Sequence, residues 1–135
     1  MATADDKSRF EILFGALRDH QQGLLENTAK TAGFLLLSIG WLATSQTARE
    51  TLNADGLLRG AAIGGVLVAT ALYIAAAFHV YRAAQRIRAR LIELAYLPLE
   101  DIETRGISAL LLAVLTLGNL TISLLLVVLI WRLGR

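Results

Sequence analysis

The side chains able to do chemistry are few and scattered. Histidine occurs twice, at His20 and His79, and cysteine does not occur. Two imidazoles so far apart in sequence, without carboxylates at ligand spacing, match no zinc pattern. A chain without cysteine forms no disulfide, thiolate metal site or iron–sulfur cluster. It contains no Gly-rich phosphate loop, no HExxH and no recognisable nucleophile–base pair. The expectation is a protein that is not an enzyme and holds no cofactor and no metal.

Three other constellations stand out. Thr116, Asn119 and Ser123 fall on one stripe, at steps of three and four, inside a stretch without charge. A mid-span asparagine either hydrogen-bonds across a helix interface or lines a polar path, and the interface role is the commoner. On that role, Asn119→Leu weakens the bundle. Gly60 and Gly64 make a GxxxG pair, with Gly65 in an adjacent stripe of small residues beside Ala61 and Ala69. Such stripes let helix backbones approach closely in lipid. Arg82, Arg86 and Arg90 form a basic stripe at four-residue spacing, suited to lipid headgroups or an acidic partner.

The elements that must carry these groups follow from hydrophobic patterning. Residues 107–131 read as one apolar run, ISALLLAVLTLGNLTISLLLVVLIW. At about 1.5 Å per residue it exceeds the roughly 30 Å of a hydrocarbon core. Two further spans are expected, at 31–47 and 59–81. The first is near the lower limit of length; the second is bracketed by Arg59 and Arg82. The fold class expected is all-α, an integral membrane helical bundle with three transmembrane helices. An amphipathic cytoplasmic helix over 3–29 precedes the first span, and a cytoplasmic helical extension over 82–97 prolongs the second.

Within 3–29, Phe10, Leu13, Phe14, Leu17, Leu24 and Leu25 recur at helical steps, and Ser8 with Glu11 fits a capping box. Residues 48–58 read as a short outside loop, with Asn53, Asp55 and Gly56 as turn residues. Val80, Ala84, Ile87, Leu91 and Leu94 form a heptad seam. Leu97-Pro98 ends it, and 98–106 is a connector. The amphipathic face and this seam are expected to cover each other or lie among headgroups, in preference to forming a stalk that docks a partner. Gly33, Leu37, Gly40 and Thr44 share a stripe on the first span. Tyr73, His79 and Tyr81 suggest interfacial anchors, and His20 an exposed helix residue.

Composition agrees with this plan. The 135 residues are 56% hydrophobic, above the roughly 45–50% of soluble domains. The basic balance invites thoughts of nucleic acid, but the arginines flank hydrophobic spans, where they set topology, so no nucleic-acid partner is expected. With three spans, nine Lys and Arg fall on the side of the amino terminus and four on the other. The positive-inside rule then puts the amino terminus in the cytoplasm and the carboxyl terminus outside a cell inner membrane. The opening MATADDKSRFEILF lacks a signal-peptide pattern, so the first span is expected to insert itself.

The layout resembles that of small three-span bacterial proteins of the YidH-like kind: a cytoplasmic amino terminus, a tight hairpin, a basic loop ending in Leu97-Pro98, then a last span. Those proteins carry an arginine-bearing motif before their first span, where this chain has NTAKTAGFLLLSIGW. The resemblance therefore transfers no residue roles. The expected function is a non-enzymatic packing or accessory subunit, with the lipid bilayer, copies of itself or a larger membrane complex as partners. The alternatives are a homo-oligomeric pore lined by Thr116, Asn119 and Ser123, and a holin-like permeabilising protein.

Overall fold

The computed structural model describes residues 4–93 and 108–133. These form four helices: α1 (Ala4–Thr44), α2 (Gln46–Ala54), α3 (Gly56–Glu93) and α4 (Ala109–Arg132). The described chain is all-helical. Two helices, α3 and α4, are long and apolar enough to cross a membrane. Leu94, Leu97-Pro98 and the connector at 98–106 lie outside the described residues.

The amphipathic segment and the first span are one helix. No proline interrupts residues 4–44, and the hydroxyl residues within it are accommodated by back-bonding. Thr28, Thr31, Ser38 and Thr44 each donate to the carbonyl four residues earlier, at 2.8 Å. Because the helix is already running at Ala4, Ser8 is an internal residue and does not act as a cap. At about 1.5 Å per residue α1 is roughly 62 Å long and α3 roughly 57 Å, against about 36 Å for α4.

The loop expected at 48–58 is mostly helix. Ser45 takes extended backbone angles, φ −88° and ψ 109°, and its Oγ accepts from Ala48 N–H at 3.2 Å. That cap stops α1 and starts α2 within one residue. Asp55 repeats the device: it is extended (φ −125°, ψ 104°), and its carboxylate accepts from Leu57 N–H at 2.8 Å and Leu58 N–H at 3.3 Å. Asp55 thus closes α2 and caps α3. Nine residues of helix rise about 13 Å, enough to span the roughly 8–10 Å between packed helices. α2 therefore bridges the ends of α1 and α3, turning Ala48 and Leu52 inward. At α4 the cap is Ser108, which accepts from Leu111 N–H at 3.0 Å.

α1, α3 and α4 pack mutually, and each buries a narrow stripe. On α1 the buried residues are Leu17, Leu24, Thr28, Leu35 and Leu42. On α3 every position of the series 63, 66, 70, 73, 77, 80, 84, 87, 91 is buried or half-buried. The α4 series 112, 116, 119, 123, 126, 130, 133 behaves alike. Alternating steps of three and four are the 3.5-residue repeat of helices packed along their length. The seam read at 80–94, whose described part reaches Leu91, is therefore one end of a seam that begins near Ile63.

Two apolar clusters result. One joins Leu17 and Leu24 of α1 to Tyr73, Ala77, Ala84 and Leu91 of α3. The other joins Leu35 and Leu42 to Ala48, Leu52, Leu126 and Ile130. The first half of α1 and the second half of α3 thus cover each other, with Leu91 fully buried. Leu25, expected on the same face, points away and is 44% exposed. Leu91→Ala is expected to destabilise the protein by about 2–5 kcal/mol in a detergent-resolved thermal or SDS unfolding titration, through cavity formation. Ile92→Ala, one residue on at an exposed position, should change it by under about 0.5 kcal/mol.

Candidate functional site

Between the two apolar clusters lies a polar layer with contributions from all three long helices. Thr28 comes from α1, Thr70 and Tyr73 from α3, and Asn119 and Ser123 from α4. Each occupies a seam position, so the seven-residue repeat places it inside. Tyr73 is 4% exposed, Asn119 3% and Ser123 4%.

Hydroxyls tie the layer together. Thr28 Oγ1 gives its hydrogen to the Leu24 carbonyl at 2.8 Å. The Tyr73 hydroxyl, 2.9 Å from Thr28 Oγ1, is then the donor of that pair. Thr70 Oγ1 donates to the Val66 carbonyl at 2.7 Å and lies 2.8 Å from Ser123 Oγ. One pair thus joins α1 to α3 and the other joins α3 to α4. Asn119 is different. Its Nδ2 is buried and has no hydrogen-bond partner among the described residues. The sequence reading gave Asn119 a hydrogen bond across the interface; the structure gives that bond to Ser123 and Thr70. Thr116 is half-buried one turn further along the same stripe.

The layer offers only hydroxyl, phenol and amide groups. It can fix the register of three helices or hold a small polar guest, but it presents no carboxylate or imidazole. Thr28 and Thr70 were missed from sequence. Thr28 sits between Leu24 and Leu35 on the α1 repeat, and Thr70 between Val66 and Tyr73 on that of α3. Extending the 80–94 seam backward would have found Thr70.

The other candidates lie outside the layer. A Cβ built on Gly60, Gly64 or Gly65 meets nothing within 4 Å, so the chain does not use this stripe for its own packing. Arg82, Arg86 and Arg90 are exposed. The Arg82 guanidinium lies over the Phe78 ring, 4.5 Å from its centroid. Glu26 pairs with Lys30 on its own helix at 3.7 Å. Tyr73, expected as an interfacial anchor, is a core residue. His79 is exposed, while His20 is half-buried, with Nδ1 2.8 Å from the Ala16 carbonyl. Among the described residues no three His, Asp or Glu side chains gather where they could hold a metal ion.

The chain matches no protein-family model, no curated protein and no solved structure. The site must be judged on its own geometry. Tyr73→Phe removes the donor to Thr28 and is expected to cost about 0.5–1.5 kcal/mol, the net worth of a typical intramolecular hydrogen bond. Asn119→Leu removes a buried donor that has no acceptor, an arrangement that costs about 1–3 kcal/mol. It is therefore expected to preserve or raise the midpoint in the same unfolding titration. A fall as large as that of Leu91→Ala would show that the amide is paired in the folded protein.

Proposed function

We propose that this is a small non-enzymatic integral membrane protein, a packing or accessory subunit of a homo-oligomer or larger membrane complex. α1 supplies the third span, beside α3 and α4. The amino terminus is cytoplasmic and the carboxyl terminus outside a cell inner membrane, as the distribution of Lys and Arg favours.

One observation carries the reading. The most apolar 18-residue windows of α3 and α4 are buried over only 17% and 22% of their residues. A core helix of a soluble protein would be mostly buried. Here Leu67, Leu72, Leu117 and Leu124 are each more than half exposed. Water would penalise such surface at about 25 cal/mol per Å², whereas hydrocarbon does not. The open strip at Gly60 and Gly64 supports lateral packing, since it offers backbone approach that nothing among the described residues occupies.

The pore reading draws less support. Asn119 and Ser123 turn toward the chain's own centre, against α1 and α3. A channel between copies would have to be lined by some other face.

The test is native mass after mild detergent extraction, with mass identification of whatever accompanies the chain. A subunit should run as a defined assembly, and reconstituted vesicles should stay tight. Leaky vesicles or host lysis on overexpression would favour the permeabilising alternatives, and a detergent-free soluble monomer would end the membrane reading. If the α3 strip is a packing face, Gly60→Leu combined with Gly64→Leu should weaken assembly about tenfold. The unfolding midpoint should hold, because a Cβ at either position meets no atom within 4 Å and leucine favours helix over glycine.

A further inference from the structure

The face of α1 turned away from the bundle carries charge at the wrong depth. Asp19, Gln22, Glu26 and Lys30 follow one another at steps of three, four and four, opposite the buried Leu24, Thr28 and Leu35. Gln22 donates to Glu26 at 2.9 Å, and Lys30 lies 3.7 Å from it. The Glu26 and Lys30 side chains are 53% and 77% exposed.

The polar layer fixes their level. Thr28 stands opposite Tyr73, and Thr70 opposite Ser123. Lys30 is therefore level with the middle of α3 and α4. A groove of about 510 Å³ agrees, with Asn27, Lys30 and Thr31 on one wall and Ala69, Leu72 and Ala76 of α3 on the other. Ser123 is roughly 14 Å from the Arg132 end of α4 and roughly 21 Å from its Ala109 end, at about 1.5 Å per residue. The slab of bilayer that bathes Leu72, Leu117 and Leu124 thus also holds Glu26 and Lys30. Ionised groups inside a span face a partner or a polar cavity, not acyl chains.

We infer that this face of α1 is the contact between copies of the chain. The inference deepens the assembly reading proposed above and rests on it. Charge complementarity identifies the occupant. An acid and a base one turn apart make the stripe self-complementary. Two copies inserted with the same orientation, related by a twofold axis along the membrane normal, bring Glu26 of each to Lys30 of the other. Lipid supplies no compensating charge at that depth. Above Lys30 the same face continues as Gly33, Leu37, Gly40 and Thr44, and a Cβ on either glycine meets nothing within 4 Å. Helices brought together by the charges therefore find room to close over their remaining length.

Charge reversal tests this in the full chain, extracted in mild detergent and read by native mass and by co-purification of two differently tagged copies. Glu26→Lys and Lys30→Glu should each lose self-association at least tenfold. Co-expressed, one offers two bases and the other two acids, so the mixed assembly should recover to within about threefold of wild type. Glu26→Gln and Lys30→Gln, which insert without like-charge repulsion, should each weaken self-association severalfold. Should wild type assemble and the reversals leave it intact, or should the mixture fail to recover, the α1 contact is wrong while the assembly reading stands. A wild-type monomer would overturn both.

Discussion

The structure depends on the narrowness of its seams. Each long helix buries one stripe, repeating at 3.5 residues, and leaves the rest of its surface outside. In water such an arrangement would leave many large apolar side chains exposed. In hydrocarbon the exposed leucines cost nothing, but every backbone polar group must be satisfied within the chain. Among the described residues that demand is met by unbroken helices and by single-residue corners at Ser45 and Asp55. At Ser45 and Asp55, and again at Ser108, an oxygen of the side chain takes up the N–H groups that a helix start leaves orphaned. α2 follows from the same demand, since a helical bridge across the end of the hairpin leaves fewer unpaired backbone groups than a loop.

The polar layer follows from the seams. Long helices packed by a repeating apolar stripe can slide by seven residues with little penalty, because leucine meets leucine again. Two hydroxyl pairs, Thr28 with Tyr73 and Thr70 with Ser123, break that degeneracy, since a slipped register would bury them against apolar neighbours. Asn119 takes part in neither pair. Its unpartnered nitrogen adds cost to the layer without adding an internal bond among the described residues.

Much of this was legible in the sequence. The helical class, the apolar character of α3 and α4 and the inward stripe of Thr116, Asn119 and Ser123 all followed from periodicity. What was missed depended on tertiary context. Residues 3–29 and 31–47 looked like two helices because polarity changes at Lys30, yet a change of polarity does not break a helix. The region 48–58 looked like a loop because Asn53, Asp55 and Gly56 are turn residues, but Asp55 alone makes the turn. Tyr73 looked interfacial because tyrosine favours that position; its seam position, seven before Val80, overrode the preference. Glycine spacing suggested close packing at Gly60, Gly64 and Gly65, and spacing alone does not say whether the neighbour belongs to the same chain.

If α1 is the third span proposed above, its depth is set by packing in place of partition. From Thr31 to Thr44 its apolar helical part is only about 21 Å long, short of the roughly 30 Å a hydrocarbon core requires. Left to itself such a segment would settle with Lys30 and Glu26 at the headgroups. The α1 seam does not stop at Thr31, however. Thr28, Leu24 and Leu17 continue it without a break in period, and their partners Tyr73, Ala77 and Ala84 belong to a helix whose own depth is set by its apolar length. Moving α1 toward the headgroups would unmatch that whole seam. On the proposed membrane reading, charge at membrane depth is thus a consequence of the same repeat that builds the core, and relieving it falls to whatever packs against the outer face of α1.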